Sequence, residues 1–246
     1  FGPEFKTEEI TKFLDGEEAV YEVCASEEGL CEKVAQLIAD EKVIGWFQDR
    51  MEFGPRALGA RSILGDARSE KMQRTMNLKI KFRESFRPFA PVILREKVEE
   101  YFEMEANQDS PYMLLVAPVQ EDKRFTLNDE EADLTGLKKL NQKRSVVPAI
   151  THVDMSARVQ TADTRHGIYH KLLEAFHAKE DSPVLINTSF NVRGEPIVCT
   201  PENAYRCFMG TNMDVLVLGH VILRKEKQPN AGEIDNAKYL EEFALD

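Results

Sequence analysis

Two strand-like runs, Ala19 to Cys24 and Val43 to Phe47, flank an amphipathic segment, Glu27 to Asp40, whose Leu30, Val34, Leu37 and Ile38 fall on one helical face. Strand, helix and strand in that order require a crossover connection, which puts both strands in one sheet with a helix against it. Further helix patterns run from Glu8 to Leu14, from Ser69 to Leu78, from Gly167 to Lys179 and from Pro201, where Thr200 is the natural cap. Strand patterns cover Tyr112 to Val119, Val146 to Ile150, Ala157 to Thr161, Pro183 to Ile186, Asp214 to Leu218 and His220 to Leu223. Because the two kinds alternate irregularly, the expected fold is α/β, with a twisted mixed sheet and flanking helices.

Two segments resist that pattern. Gln48 to Gly65 carries Gly54-Pro55, Gly59 and Gly65 and is expected to be irregular. Phe86 to Leu94 contains Pro88 and Pro91, so a strand there is expected at an edge or only from a late start. Glu121 to Arg144 is expected to be a charged surface excursion with some helix, and the segment after Lys225 a peripheral helix, giving a domain over 1–225 and a tail over 226–246.

Length and composition set outer limits. With 246 residues, 42% hydrophobic and 30% charged, the chain reads as globular, as one large domain or two small ones. No apolar run is long enough for a membrane helix and no secretory pattern opens the chain, so the cytoplasm is the expected location. A start at Phe1-Gly2-Pro3 is expected for a piece of a longer polypeptide. Cys24, Cys31, Cys199 and Cys207 are dispersed, without a CxxC pair, and are expected to be reduced and not to bind metal.

The net charge of −11 argues against a general nucleic-acid binder. Between Arg50 and Lys97, however, twelve basic residues face five acidic ones, a local +7 that leaves −18 elsewhere. Arg68, Lys71 and Arg74 suit a solvated helix face. The arginines set among glycine, proline and phenylalanine do not.

Three constellations are candidates for chemistry. In Met51-Glu52-Phe53-Gly54-Pro55-Arg56-Ala57-Leu58-Gly59-Ala60-Arg61-Ser62, the glycines permit close backbone approach, and Arg56 either presents its fork to an anion or bonds its own loop carbonyls. In Lys79 to Pro91, Lys79, Lys81, Arg83 and Arg87 would repel one another unless an anion joins them, while Phe82, Phe86 and Phe89 anchor the segment and Glu84 pairs with Arg83 or Arg87. The third is a buried strand running into Asn187-Thr188-Ser189-Phe190-Asn191, neutral hydrogen-bonding groups at a sheet's edge, followed by Arg193-Gly194-Glu195-Pro196 as a turn. His152 and Asp154 share a face if they lie on a strand, with His152 most simply structural, and His166 and His170 lack a third metal ligand. No GxxxxGK[ST], GxGxxG or GxSxG motif is present.

These segments, Gly45-Trp46-Phe47-Gln48 through Gly59, Lys81-Phe82-Arg83-Glu84 through Pro91, and Asn187 through Ile197, resemble in order and spacing the carboxyl-terminal domain of the nodulation-factor and antibiotic-type O-carbamoyltransferases. The resemblance runs from about Phe1 to Lys225. It implies a fold like that of threonylcarbamoyl-adenylate synthase (YrdC-like), and a reaction of carbamoyl phosphate with ATP and Mg²⁺ that yields carbamoyl adenylate. Arg56, Lys81 and Arg87 would clamp phosphate and carbamoyl groups. Ser189 and Asn191 resemble that fold's Ser-x-Asn nucleotide motif, and Arg83, Arg158, Asn187 and Thr188 are implied as further contacts. The resemblance assigns no metal site to this chain. It implies as partner an amino-terminal, actin-like ATPase-type domain that holds a metal ion and moves the carbamoyl group to a small hydroxyl acceptor. The other reading is a non-catalytic interaction or RNA-contacting module of the same fold.

Overall fold

The computed structural model describes residues 2–126, 135–136, 142–229, 231 and 236–243. Much of the segment expected as a charged excursion, residues 127–134 and 137–141, lies outside the described residues. In chain order the principal elements are α1 (Thr7–Gly16), β1 (Tyr21–Val23), α2 (Glu27–Ala39), β2 (Ile44–Phe47), β3 (Arg61–Asp66), α3 (Met72–Lys79), β4 (Ala90–Leu94), α4 (Val98–Tyr101), β5 (Leu115–Pro118), β6 (Ser156–Ala162), α5 (Ile168–Glu180), β7 (Val184–Ser189), α6 (Pro201–Met209), β8 (Val215–Leu218), β9 (Val221–Arg224) and α7 (Asn236–Glu241).

The strands form one sheet in the order β1-β9-β8-β2-β3-β7-β4-β6-β5. Only β2 with β8 and β4 with β6 run parallel. This is the mixed α/β sheet with flanking helices that the alternation of patterns predicts. The crossover through α2 is present, with Ser26 capping the helix by accepting from the Gly29 amide at 3.1 Å. Thr200 likewise caps α6, with Pro201 in the first turn.

The central strands are apolar on both faces because both are covered. On one side Ile44, Trp46, Leu64, Leu185 and Val217 pack against Leu30, Val34 and Ile38 of α2 and Leu172 and Phe176 of α5. On the other, Phe47, Ile63, Ile186, Leu216 and Leu218 share a core with Ile10 and Leu14 of α1, Met72 and Met76 of α3 and Phe208 of α6. Strict alternation along β8, with Val215 and Val217 on one side and Leu216 and Leu218 on the other, shows how a period of two feeds both layers.

Three expectations need correction, and of the two forms left open for the Phe86–Leu94 strand the late start is the one realised. Arg61–Asp66, placed within an irregular segment, is a fully buried central strand between β2 and β7; neighbouring glycines mask it, and only pairing on both sides makes it a strand. β4 is interior rather than an edge, lying between β7 and β6. It does begin late, and its ladder to β6 opens at Val92, after Pro91, so a residue without an N–H is tolerated at its entry. Val146–Ile150 forms no strand: the Ala149 amide reaches Ala67 O at 3.2 Å and Thr151 Oγ1 reaches Val147 O at 2.9 Å, a turn built around Pro148. His152 and Asp154 therefore precede β6 in a turn, where Asp154 Oδ1 accepts from the Ser156 amide at 3.1 Å and its hydroxyl at 2.7 Å.

No disulfide joins the described residues, and no helix among them is long and apolar enough to cross a membrane.

Candidate functional site

A cleft of about 310 Å³ opens where the β2–β3 loop, the α3–β4 connection, β6 and the end of β7 meet. Eight of the nine residues singled out from the sequence line it: Arg56, Lys81, Arg83, Arg158, Asn187, Thr188, Ser189 and Asn191. Arg87 is not among the lining residues. Its Nε pairs with Glu84 Oε2 at 2.9 Å, and its carbonyl accepts from Asn77 Nδ2 at 2.8 Å, so it fastens the α3–β4 connection.

The β2–β3 loop is built from within. Glu52 Oε1 accepts from the amides of Leu58 at 2.6 Å, Ala60 at 3.3 Å and Arg61 at 3.3 Å. Gly59 takes φ +116°, and a Cβ there would run into the Tyr169 ring. Its carbonyl accepts from the Trp46 indole N–H at 2.9 Å. The alternative raised for Arg56, bonding to loop carbonyls, belongs instead to Arg61. That buried guanidinium donates to Gln48 O at 2.7 Å, Ala60 O at 3.0 Å and Pro3 O at 3.1 Å, and lies 3.5 Å over the Phe47 ring. Burial lowers its pKa to about 10. Arg56, with the backbone already held by Glu52 and Arg61, is exposed and makes no hydrogen bond or ion pair with the described residues.

Lys81 is buried. Its Nζ donates to Asn191 Oδ1 at 2.7 Å, Asn191 O at 2.7 Å and the carbonyl of Ser189. Burial lowers its pKa to about 7, Cys207 opposes the fall and Arg83 adds to it. The next residue, Phe82, has φ +46°, a left-handed turn that costs about 1–3 kcal/mol and sends Lys81 and Arg83 along different directions into the cleft wall. Arg83 Nε donates to Asn77 Oδ1 at 2.6 Å, and its guanidinium lies 5.0 Å from the Phe89 ring centroid. Burial, and then Arg87, depress its pKa.

Arg158 is half-buried on β6 and, like Arg56, makes no ion pair or hydrogen bond with the described residues. Its pKa is lowered first by burial and then by Arg56, so the two guanidiniums repel one another across the cleft. No carboxylate is among the lining residues. Beneath them Asn187 Nδ2 donates to Gln160 Oε1 at 2.6 Å and Ala57 O at 3.0 Å, and Gln160 Nε2 donates to Leu58 O at 3.0 Å. Asn187 Oδ1 is buried without a hydrogen-bond partner among the described residues. Gln160 was not anticipated, although it follows Arg158 by two residues and so shares its face of the strand.

His166 bonds within its own turn around Asp163, whereas His170 faces Glu96 at 3.5 Å and Glu174 at 3.4 Å through its two different ring nitrogens. Glu96, His170 and Glu174 thus bring three groups of metal-ligating type together, which the spacing of His166 and His170 did not show, and His166 is not one of them.

The family profile described as Carbamoyltransferase C-terminus matches residues 35–225. This chain belongs to that family. An uncharacterized protein of Synechocystis sp. is 57% identical over all of this chain and 40% of its own length. The nodulation protein NolO of Bradyrhizobium diazoefficiens is 36% identical over 92% of the chain and 38% of its own length. The 3'-hydroxymethylcephem-O-carbamoyltransferase of Streptomyces clavuligerus is 32% identical over 78% and 32% respectively. The chain thus spans two-fifths or less of the length of each of these three relatives.

Proposed function

We propose that the cleft binds carbamoyl phosphate and ATP and activates the carbamoyl group as carbamoyl adenylate, for delivery to a hydroxyl acceptor by another part of a longer protein. The observation that carries this reading is the pair Arg56 and Arg158, two guanidiniums at one cleft with no anionic partner among the described residues. Planar forks of this kind suit the oxygens of phosphate groups. Arg83 adds a third positive charge beside them.

The neutral groups favour a carbamoyl group over a bare phosphate. A carbamoyl –NH₂ supplies a donor, which fully ionised phosphate lacks, and Asn187 Oδ1 is an acceptor still without one. Loss of phosphate from carbamoyl phosphate, with water, leaves carbamate. A carbamate oxygen then attacks the α-phosphorus of ATP, the bond from that phosphorus to the bridging oxygen breaks, and pyrophosphate departs. The arginines stabilise charge on the transferring groups, so catalysis is mainly positioning and neutralisation. With no carboxylate among the described residues that line the cleft, Mg²⁺ would arrive on the triphosphate and remain held by phosphate oxygens and water.

Calorimetry with Mg·ATP and carbamoyl phosphate, each titrated separately, tests the reading. Both should bind, and Arg158→Ala should weaken each by about tenfold or more, as expected for loss of a charge-assisted contact. Salt-sensitive RNA binding with neither small molecule bound would sink it.

A further inference from the structure

The residues after 225 lie beyond the family match, yet one of them reaches the cleft through a short series of bonds. Tyr239 on α7 is 6% exposed and belongs to the core that includes Cys207 and Phe208 of α6. Its hydroxyl donates to Glu195 Oε1 at 2.6 Å. The other oxygen, Glu195 Oε2, accepts from the Val192 amide at 2.8 Å, and the Glu195 carbonyl accepts from Asn191 Nδ2 at 2.7 Å. Asn191 in turn offers its side-chain and backbone oxygens to Lys81, each at 2.7 Å.

We propose that Tyr239 is a positioning residue for the cleft, acting through Glu195 on the Asn191–Val192 turn; this rests on the reading of the cleft given above. All three acceptors of the Lys81 ammonium come from Ser189 and Asn191, so the wall that carries Lys81 keeps its shape only while that turn is held. Without the tyrosine hydroxyl, Glu195 Oε1 loses that donor and the carboxylate is held less firmly against the Val192 amide. The turn is fitted to receive the carboxyl-terminal segment. Gly194 has φ +83°, and a Cβ there would strike the Phe243 carbonyl, while a Cβ on Gly210 would meet the Tyr239 ring. Phe243 packs edge-on to Tyr239 at 5.3 Å, and Glu242 pairs with Arg206 of α6. Ring packing seats the helix, and the hydroxyl transmits its position to the turn.

Tyr239→Phe in the full chain separates these two roles, because it keeps the ring. The first measurement is hydrogen exchange without ligand: the Val192 amide should exchange about fivefold faster or more, the equivalent of one lost hydrogen bond, while the amides of β8 are unchanged. The second is affinity for Mg·ATP and carbamoyl phosphate, which should fall by about fivefold. Glu195→Ala, which removes both the acceptor of the Tyr239 hydroxyl and that of the Val192 amide, should reproduce both effects. Unchanged exchange at Val192 in Tyr239→Phe overturns the proposal, as does faster exchange with unchanged affinity. If the unsubstituted protein bound neither ligand, the cleft reading would fail, and the exchange measurement would still decide whether Tyr239 orders the turn.

Discussion

Lys81 grips Asn191 twice, at Oδ1 and at the backbone carbonyl, each at 2.7 Å. The lysine is therefore part of the wall more than a hand extended to a ligand. Its substitution should be felt first in stability. Near pH 10, where the buried group is a neutral amine that still donates, Lys81→Met should cost roughly 1–3 kcal/mol, because it strands buried neutral acceptors. Urea titration reads this directly, and a loss below about 0.5 kcal/mol would place the side chain outside the wall.

The same lysine sets a pH dependence. Its folded pKa is about 7, against 10.5 ordinarily. Between those values the unfolded chain binds more protons than the folded one, so this group's contribution makes stability rise with pH through that window and level off above it. Urea midpoints measured from pH 6.5 to 10.5 should show that slope in the unsubstituted protein and a shallower one in Lys81→Met.

Arg56 and Arg158 repel one another in the absence of an anion, so pyrophosphate should raise the melting temperature of the protein. At a hundred times its dissociation constant the gain is about 2.7 kcal/mol. Arg158→Ala should remove about half of the shift or more, as a tenfold weakening gives, while leaving the ligand-free melting temperature equal or higher. Thermal melts with and without pyrophosphate check both parts.

Arg83 and Arg87, four residues apart, should separate in effect. Arg83 lines the cleft, whereas Arg87 pairs with Glu84 on a largely exposed surface. Arg83→Ala should weaken Mg·ATP by about tenfold, and Arg87→Ala by about twofold or less, since exposed ion pairs contribute little. Equal losses in calorimetry would return Arg87 to the site.

Gly59→Ala should destabilise the protein by roughly 2–4 kcal/mol, because the added methyl meets the Tyr169 ring at a φ that suits only glycine. Trp46 is the sole tryptophan and its indole bonds the Gly59 carbonyl, so its fluorescence should report displacement of the loop before the chain unfolds.

Much of this was legible in the sequence, for reasons that differ between elements. α2 and α5 show in their apolar spacing, and α6 in Thr200-Pro201, because helices carry local signals in caps and periodicity. The irregular loop around Arg56 shows in Gly54-Pro55 and Gly59. The strand Arg61–Asp66 did not show, since Arg61 and Asp66 look like surface residues until Arg61 is seen bonded to four backbone carbonyls and Asp66 to Arg68 at 2.7 Å. Gln160 stayed hidden because its partners, Leu58 and Asn187, are remote in the chain.

By itself the sequence determined the α/β class, most of the helices and strands and the residue types of an anion site, because periodicity, caps and charge are properties of neighbours along the chain. Only the tertiary structure decided which arginine is structural and which is free, that Lys81 and Arg87 serve the wall and the connection, and that Tyr239 reaches the cleft. Those roles depend on which carbonyls and carboxylates come within about 3 Å of each cation, and folding sets those distances between residues that the chain keeps far apart.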